Sequence, residues 1–236
     1  MDGNGFTGFN PGQAKENIRY FAEYADNVDY FLKQAFEYLF SELYWKWCSP
    51  KAVEFDGKYN ELSSSICGEF RTMTDNIATS AKEAYNVIAR AHHEATIEFN
   101  TISDLYIGFG NPARNDVSQH STGYGARGQL SLQHLVASHP TSNAVGMNVS
   151  LVKVIVQEFE TKITNVIERI GSIPTNIAYF DEDGSQQESY RNTINSMKEK
   201  ITGLVDSIKA DIKSASEEEE NSVMLAKEQA TQVLNG

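Results

Sequence analysis

The stretch "WKWCSPKAVEFDG", residues 45–57, lies between two long segments with the periodicity of α-helices. It contains both tryptophans of the chain, Trp45 and Trp47, followed by Ser49 and Pro50. Serine is a favourable N-cap residue, and proline is well tolerated in the first turn of a helix. The stretch therefore predicts that one helix ends, the chain turns sharply, and a second helix begins at Pro50.

Apolar residues on both sides of this turn recur at spacings of three and four, which is typical of packed helices. Asn10 and Pro11 suit the start of the first helix. Its predicted seam, meaning the row of apolar residues that packs against other helices, comprises Ile18, Phe21, Ala25, Val28, Leu32, Ala35, Leu39, Leu43 and Trp47. The seam after the turn comprises Leu62, Ile66, Phe70, Met73, Ile77, Ala81, Ala84, Ile88, Ala91 and Ala95. Because the connection is short, the two helices are predicted to form an antiparallel hairpin.

A second helical pair is predicted in the last part of the chain. Its first seam, which ends at Gly171 and Pro174, comprises Val152, Ile155, Phe159, Ile163, Val166 and Ile170. The sequence "SQQE", residues 185–188, matches a capping box, and the next seam comprises Tyr190, Ile194, Met197, Ile201, Leu204, Ile208, Ile212 and Ala215. The acidic run at 217–220 predicts that packing loosens there, even if the helix continues towards Val233.

The segment between the two pairs is rich in glycine and lacks a helical period. It predicts a loop or linker over 108–146, with a possible short helix at "LSLQHLVA", residues 130–137. The expected domains are an N-terminal hairpin at 1–107, this linker, and a C-terminal hairpin at 147–236. The predicted fold class is all-α: two long antiparallel helical hairpins that form an elongated four-helix bundle.

The formal net charge of -12 is divided between two acidic halves. Such a surface repels phosphate backbones and anionic lipids, so we expect no nucleic-acid partner. No apolar run approaches the roughly 18 residues that a membrane span requires, and the first residues lack the pattern of a signal peptide. A protein partner or self-association is the remaining expectation.

The sequence contains no convincing catalytic, cofactor or metal motif. Gly123, Gly125 and Gly128 spell G-x-G-x-x-G, but no strand is predicted before them and no helix after them. His92 and His93 are adjacent on a helix and cannot share one ion. Cys48 and Cys67 are expected to be free thiols without a catalytic partner. We therefore expect a non-enzymatic protein without cofactor or bound metal.

The order of long helix, Trp47-Cys48-Ser49 and second long helix resembles the WXG superfamily, the ESAT-six-like helical hairpins exported by bacterial type VII secretion. Ala52, Phe55 and Tyr59 stand at family-like positions, whereas Ser49 replaces the usual glycine. The resemblance covers residues 11 to about 105 and extends to 148–236 in architecture alone. The family's export signal, Y-x-x-x-D/E after a second helix, is not found in the sequence from Leu225 onward.

The resemblance implies a type VII secretion substrate, a co-exported partner or a targeting factor. Its partner would be another helical hairpin protein or the secretion ATPase, and its location the cell surface or the medium, reached without a signal peptide, or otherwise the cytoplasm. The predicted docking turn comprises Trp45, Trp47, Ser49, Pro50 and Phe55, and replacement of Trp47 by alanine is expected to impair binding more than helicity. A strand anywhere within residues 11–100 would overturn the secretion interpretation.

Two other classes of function stay open. One is a structural or adaptor helical bundle of a phage or cell-surface assembly, which would use the same hairpins for polymerisation. The other is a small enzyme or toxin with its site in the linker, which predicts an ordered linker with a pocket.

Overall fold

A computed structural model describes residues 11–91, 130–139, 145–177 and 184–235 of the chain. The glycine motif at 123–128, the histidines at 92 and 93, most of the predicted linker and the acidic residues 181–183 lie outside the described residues. For the predicted seam positions 88 and 91 the structure describes the backbone but not the side chains, and position 95 lies outside the described residues.

The described residues form helices α1 (Pro11–Tyr44), α2 (Pro50–Ala91), α3 (Val149–Gly171) and α4 (Ser185–Asn235). The other elements are two short strands, β1 (Trp47–Cys48) and β2 (Gly146–Met147). The predicted all-α class is confirmed. Helices begin at Pro11 and Pro50, and α3 ends at Gly171, as the cap residues indicate.

The strands β1 and β2 pair antiparallel, with Trp47 opposite Met147 and Cys48 opposite Gly146. The prediction of a strand-free segment over 11–100 is therefore wrong. The difference arises because α1 ends at Tyr44, three residues before the predicted seam does, and the freed backbone groups find partners in β2. Since β1 lies in the connection, both flanking helices are retained.

The predicted seams of α1 and α3 are confirmed, because every one of their residues is buried. The seam of α2 is misplaced by one residue at two positions, Leu62 and Ala84, and that of α4 at one, Leu204; Ala84 is half-buried while Tyr85 is buried. Leu62 is 47% exposed while Ser63 is fully buried, and Leu204 is half-buried while Val205 is buried. A spacing of three or four is satisfied by either neighbour, so the choice of the more apolar residue misplaced the helix face.

The chain divides into two compact units, and each helix contributes one part to each unit. Within the described residues, unit 1 contains 11–31, 67–91, 166–177 and 184–199. Unit 2 contains 32–66, 130–139, 145–165 and 200–235.

In unit 1, α1 contacts α3 and the segment that follows it. The guanidinium of Arg169 lies 4.7 Å from the ring centre of Phe31. The amide of Asn17 donates to the carbonyl of Asn176 at 3.2 Å. Lys82 on α2 is buried, and burial lowers the pKa of its amine because it disfavours the charged form.

In unit 2, contacts link α1 to α2 and α3, and α4 to α2 and α3. The ring centres of Phe36 and Phe159 lie 5.9 Å apart, and those of Phe40 and Phe55 lie 6.0 Å apart. The hydroxyl of Tyr59 donates to a carboxylate oxygen of Asp211 at 2.8 Å. Lys209 forms an ion pair with Glu160. These contacts bring parts of all four helices around the buried aromatic residues of unit 2.

The helix α4 continues beyond its packed part, as the acidic run at 217–220 predicts. Residues 221–235 are helical and all exposed. At its other end, the carbonyl of Gly184 accepts the bond from the amide of Glu188 at 2.9 Å, so the cap lies one residue before the predicted Ser185. None of the described helices is apolar over a stretch long enough to cross a membrane.

Candidate partner-docking turn

The connection between α1 and α2 is held by backbone hydrogen bonds. The amide of Lys46 donates to the carbonyl of Leu43 at 2.9 Å, which closes the end of α1. The carbonyl of Lys46 accepts from the amide of Asn148 at 2.8 Å, next to the paired strands. The turn is therefore tied to the start of α3 as well as to its own helices.

Ser49 caps α2 as its sequence position predicts. Its hydroxyl accepts from the amide of Ala52 at 3.2 Å, and its carbonyl accepts from the amide of Val53 at 3.3 Å. The indole Nε1 of Trp47 donates to the same hydroxyl at 3.0 Å. One serine thus satisfies both a free amide of the helix terminus and the polar atom of a buried tryptophan.

Trp47 is a core residue, because only 2% of its surface is exposed. Its ring centre lies 5.2 Å from that of Phe55, which in turn lies 4.8 Å from Tyr59. Phe55 and Ser49 are buried as well. These three predicted docking residues therefore stabilise the junction of the helices and have little surface for a partner in this conformation.

Trp45 is the exposed tryptophan, with 61% of its surface accessible. Its indole stacks on the ring of His139 at 4.1 Å and 13°, and contacts the edge of Tyr44 at 4.8 Å. Pro50 is also exposed. Of the five predicted docking residues, only these two can touch a partner directly, and the docking role of the turn stays a prediction.

A segment that sequence reasoning misassigned lies beside this turn. Residues 130–139, here called the strap, contain no helix or strand, so the short helix predicted at 130–137 is wrong. Leu135 and His139 of the strap are buried, and their polar contacts are to α1 and α2. The sequence did not indicate this conformation, because contacts with helices far away in the sequence leave no local signal.

A groove of about 860 Å³ extends from Trp45 past the strands to α4. Its lining includes Gly146, Asn148, Glu219, Val223 and Met224. It joins the exposed side of the turn to the start of the exposed part of α4. This arrangement suits contact with another polypeptide, because the surface is open and combines apolar and charged side chains.

The two cysteines are buried free thiols, as predicted. The thiol of Cys48 lies 3.7 Å from the carbonyl of Tyr44, and burial raises the pKa of Cys48. A higher pKa decreases the thiolate fraction, which disfavours nucleophilic chemistry. Within 11–91, 130–139, 145–177 and 184–235, no group of three His, Cys, Asp or Glu residues could hold a metal ion.

Charged contacts between α2 and α4 include the ion pairs of Lys51 with Glu218 and of Lys58 with Asp211. The ammonium of Lys58 lies 2.7 Å from a carboxylate oxygen of Asp211, which also accepts from the hydroxyl of Tyr59. These hydrogen bonds lower the pKa of Asp211, with Lys58 the larger cause and Tyr59 the second. The same carboxylate raises the pKa of Lys58 to about 12.

No protein-family model matches the chain, and no curated protein or solved structure is significantly similar to it.

Proposed function

We propose that this chain is a non-enzymatic protein-binding module that acts through helix–helix contacts. In this proposal α1–α2 and α3–α4 are two hairpins that pack as a four-helix bundle. The resemblance at Trp47-Cys48-Ser49 supports the role of a type VII secretion substrate, co-exported partner or targeting factor. The short strand β1 meets the condition under which that role was to be abandoned. We retain the role as a proposal because β1 has two residues, lies in the connection and leaves both helices of the resemblance intact.

The observation that carries the proposal is the exposed end of α4. Residues 221–235 contain five exposed large apolar side chains: Val223 (45%), Met224 (60%), Leu225 (56%), Val233 (82%) and Leu234 (85%). Large exposed apolar side chains concentrated on one element commonly mark a protein–protein contact.

The apolar positions of this end continue the buried seam of α4. Beyond Ile208, Ile212 and Ala215, the same spacing leads through Glu219 to Val223, and then to Ala226, Ala230 and Val233. A stripe of this kind buries against another helix. The apolar face with which α4 packs inside unit 2 therefore continues along its exposed end. This supports an amphipathic helix as the partner.

The charge of this end also favours a partner helix. Lys227 and Glu228 are its only charged residues, so residues 221–235 are neutral, whereas the whole chain carries -12. An acidic helical protein is less strongly repelled at this end than elsewhere on the chain. The net negative charge of the chain therefore does not prevent an acidic helical protein from binding at this end of α4.

The same observation supports the second candidate, a structural or adaptor component that self-associates. Every copy of the chain presents an identical neutral apolar stripe, and two such stripes can pack on each other. Light scattering on the purified chain separates the two candidates, because only the structural candidate requires a dimer or polymer without a second protein.

The test uses two double variants of α4. Val223→Lys with Val233→Lys changes the stripe, whereas Asn221→Lys with Gln232→Lys places the same charges on the opposite face as a control. The stripe variant is expected to bind its partner about tenfold more weakly than the control, a loss of about 1.4 kcal/mol, and to be exported correspondingly less in a bacterium that carries a type VII secretion system. Export of the unaltered chain without the secretion ATPase would contradict the secretion role, and equal export of both variants would contradict the role of the stripe.

A further inference from the structure

The strap is held in the manner of a bound peptide. Leu135 is 4% exposed and His139 is 7% exposed, whereas the intervening Ala137 and Ser138 are exposed. The polar contacts of the strap with α1 and α2 are to side chains and to the end of a helix, and not to a backbone ladder. The chain bends at Ala137 and Ser138, so the two buried side chains anchor the strap on either side of an exposed bend, as a few side chains anchor a bound peptide.

The first anchor of the strap is the carboxylate of Asp56 on α2. Its Oδ1 accepts from the amide of Leu135 at 3.1 Å, and its Oδ2 lies 2.9 Å from Nδ1 of His134. Asn60 donates to the same carboxylate at 3.2 Å. Asp56 is only 9% exposed, and a carboxylate removed from water requires such donors. The strap supplies two of these three donors, the amide of Leu135 and the imidazole of His134.

The second anchor is the carboxyl end of α1. The carbonyl of Tyr44, the last residue of the helix, accepts from Nε2 of His139 at 2.7 Å. Carbonyls at this end of a helix lack hydrogen-bond donors within the helix, so the imidazole supplies a donor that the helix does not. The ring of His139 stacks on the indole of Trp45 at 4.1 Å and contacts the ring of Tyr44 at 4.8 Å, and these two rings also contact each other.

The receiving groups belong to elements that do not depend on the strap. Tyr44 and Trp45 lie at the end of α1, and Asp56 lies on α2, and both helices bury their own seams. A third, more exposed bond runs from the amide of Ser131 to Glu37 on α1 at 3.3 Å. The groups that hold the strap thus belong to two helices with buried seams of their own, and the strap contributes only two buried side chains.

From this geometry we propose that the groove formed by Asp56, the Tyr44 carbonyl and Trp45 is a binding site for short peptide segments, and that the strap is its intramolecular ligand. The site selects an aliphatic side chain followed, four residues later, by an imidazole. A segment with this chemistry binds when the strap is displaced. The inference is independent of the helix-binding role of α4, so either can fail without the other.

The experiment measures binding of a synthetic peptide to the full chain. The probe is a fluorescent peptide with the sequence of residues 130–139, LSLQHLVASH. In the unaltered chain the strap competes at the high effective concentration of an attached ligand, so the peptide is expected to bind at least about tenfold more weakly than to a chain whose strap is released.

Leu135→Asp releases the strap, and Gln133→Asp, at an exposed position of the same segment, is the matched control. Both positions lie outside the helices, so circular dichroism is expected to be unchanged. If Leu135→Asp impairs folding, His139→Ala takes its place as the released chain. Adding Asp56→Asn to the released chain is expected to abolish peptide binding.

Equal affinity of the peptide for the unaltered and released chains would overturn the proposal, as would binding to neither. Binding of a control peptide that itself carries Leu135→Asp would also overturn it, because the groove would then not select the aliphatic side chain. Preferential binding of the unaltered peptide to the released chain, lost with Asp56→Asn, supports it.

Discussion

At the scale of single residues, the two tryptophans of the turn have opposite environments although only Lys46 separates them. Trp47 is held by β1 against Phe55 and bonds to the cap of α2. Trp45 projects from the end of α1 and is covered on one face by His139. Along an extended backbone, residues two positions apart point to the same side. Trp45 and Trp47 do not, because the chain bends between α1 and β1.

Replacement of Trp47 by alanine is expected to destabilise the chain by about 3–5 kcal/mol, because it removes a large buried ring and leaves a cavity. Replacement of Trp45 by alanine is expected to cost less than about 1 kcal/mol, because most of its surface is already in water. Urea unfolding followed by circular dichroism measures both. Equal losses would contradict the assignment of Trp47 to the core. An effect of Trp47→Ala on partner binding would therefore reflect stability as well as contact.

Asp211 is expected to make stability dependent on pH. Its pKa is lowered in the folded chain from the ordinary value of 3.8, so its contribution is present above that value and is lost as pH falls through the lowered folded pKa. Asp211→Asn is expected to cost less than about 1 kcal/mol at neutral pH, because the amide oxygen still accepts from Tyr59 but the negative charge that faces Lys58 in a half-exposed pair is lost. It is expected to cost nothing at pH well below 3.8.

The measurement is a series of urea unfolding curves from neutral to acidic pH for the unaltered chain and for Asp211→Asn. Asp206→Asn, at an exposed position of the same helix, is the control. A difference between Asp211→Asn and the unaltered chain that stays constant into the acid range would show that Asp211 does not contribute through its charged form.

At the scale of elements, the β1–β2 pair is one of the contacts that join the two helical pairs within unit 2, and it is the one made through the backbone. Gly146 of β2 has a φ of 139°, a conformation that residues with a side chain rarely adopt. A Cβ atom there would lie 2.7 Å from a carboxylate oxygen of Glu219. The strand pair therefore depends on glycine at this position.

Gly146→Ala is expected to destabilise the chain by about 1–3 kcal/mol because of backbone strain. Gly57→Ala is the opposite control, because Gly57 lies inside α2 with no atom within 4 Å of the added Cβ. Alanine there is expected to stabilise the helix by about 0.5–1 kcal/mol. Thermal or urea unfolding gives both values. Stabilisation by Gly146→Ala would show that β2 does not require this backbone conformation.

At the scale of the whole molecule, each compact unit combines parts of all four helices. Neither half of the sequence therefore contains a complete unit. The buried faces of α1 and α3 meet at Phe36 and Phe159, both without exposed surface. Separating these faces exposes side chains whose burial contributes about 1.5–3 kcal/mol each.

Two fragments, 1–107 and 147–236, are therefore expected to be less helical apart than together. Circular dichroism of each fragment and of their equimolar mixture checks this, with the mixture expected to regain the helical signal per residue of the full chain. Fragment 1–107 as a fully helical monomer would contradict the four-helix arrangement that we propose.

Much of the helical structure could be predicted because it depends on local patterns. Proline and serine at 49–50 mark a helix start, and the three-and-four spacing of α1 and α3 identified buried residues correctly. The spacing did not distinguish Leu62 from Ser63, because both satisfy it. The docking turn was predicted as a unit, yet burial divides its residues between core and surface.

The sequence by itself determined that the chain is helical, where α1 and α2 begin, and that α4 loses its packing after Ala215. These properties follow from capping and from the periodicity of apolar residues, which act within a few turns. Only the tertiary structure decided the β1–β2 pair, the strap on Asp56 and the separate environments of Trp45 and Trp47. Those features depend on contacts between residues far apart in the chain, for which the local sequence carries no physical signal.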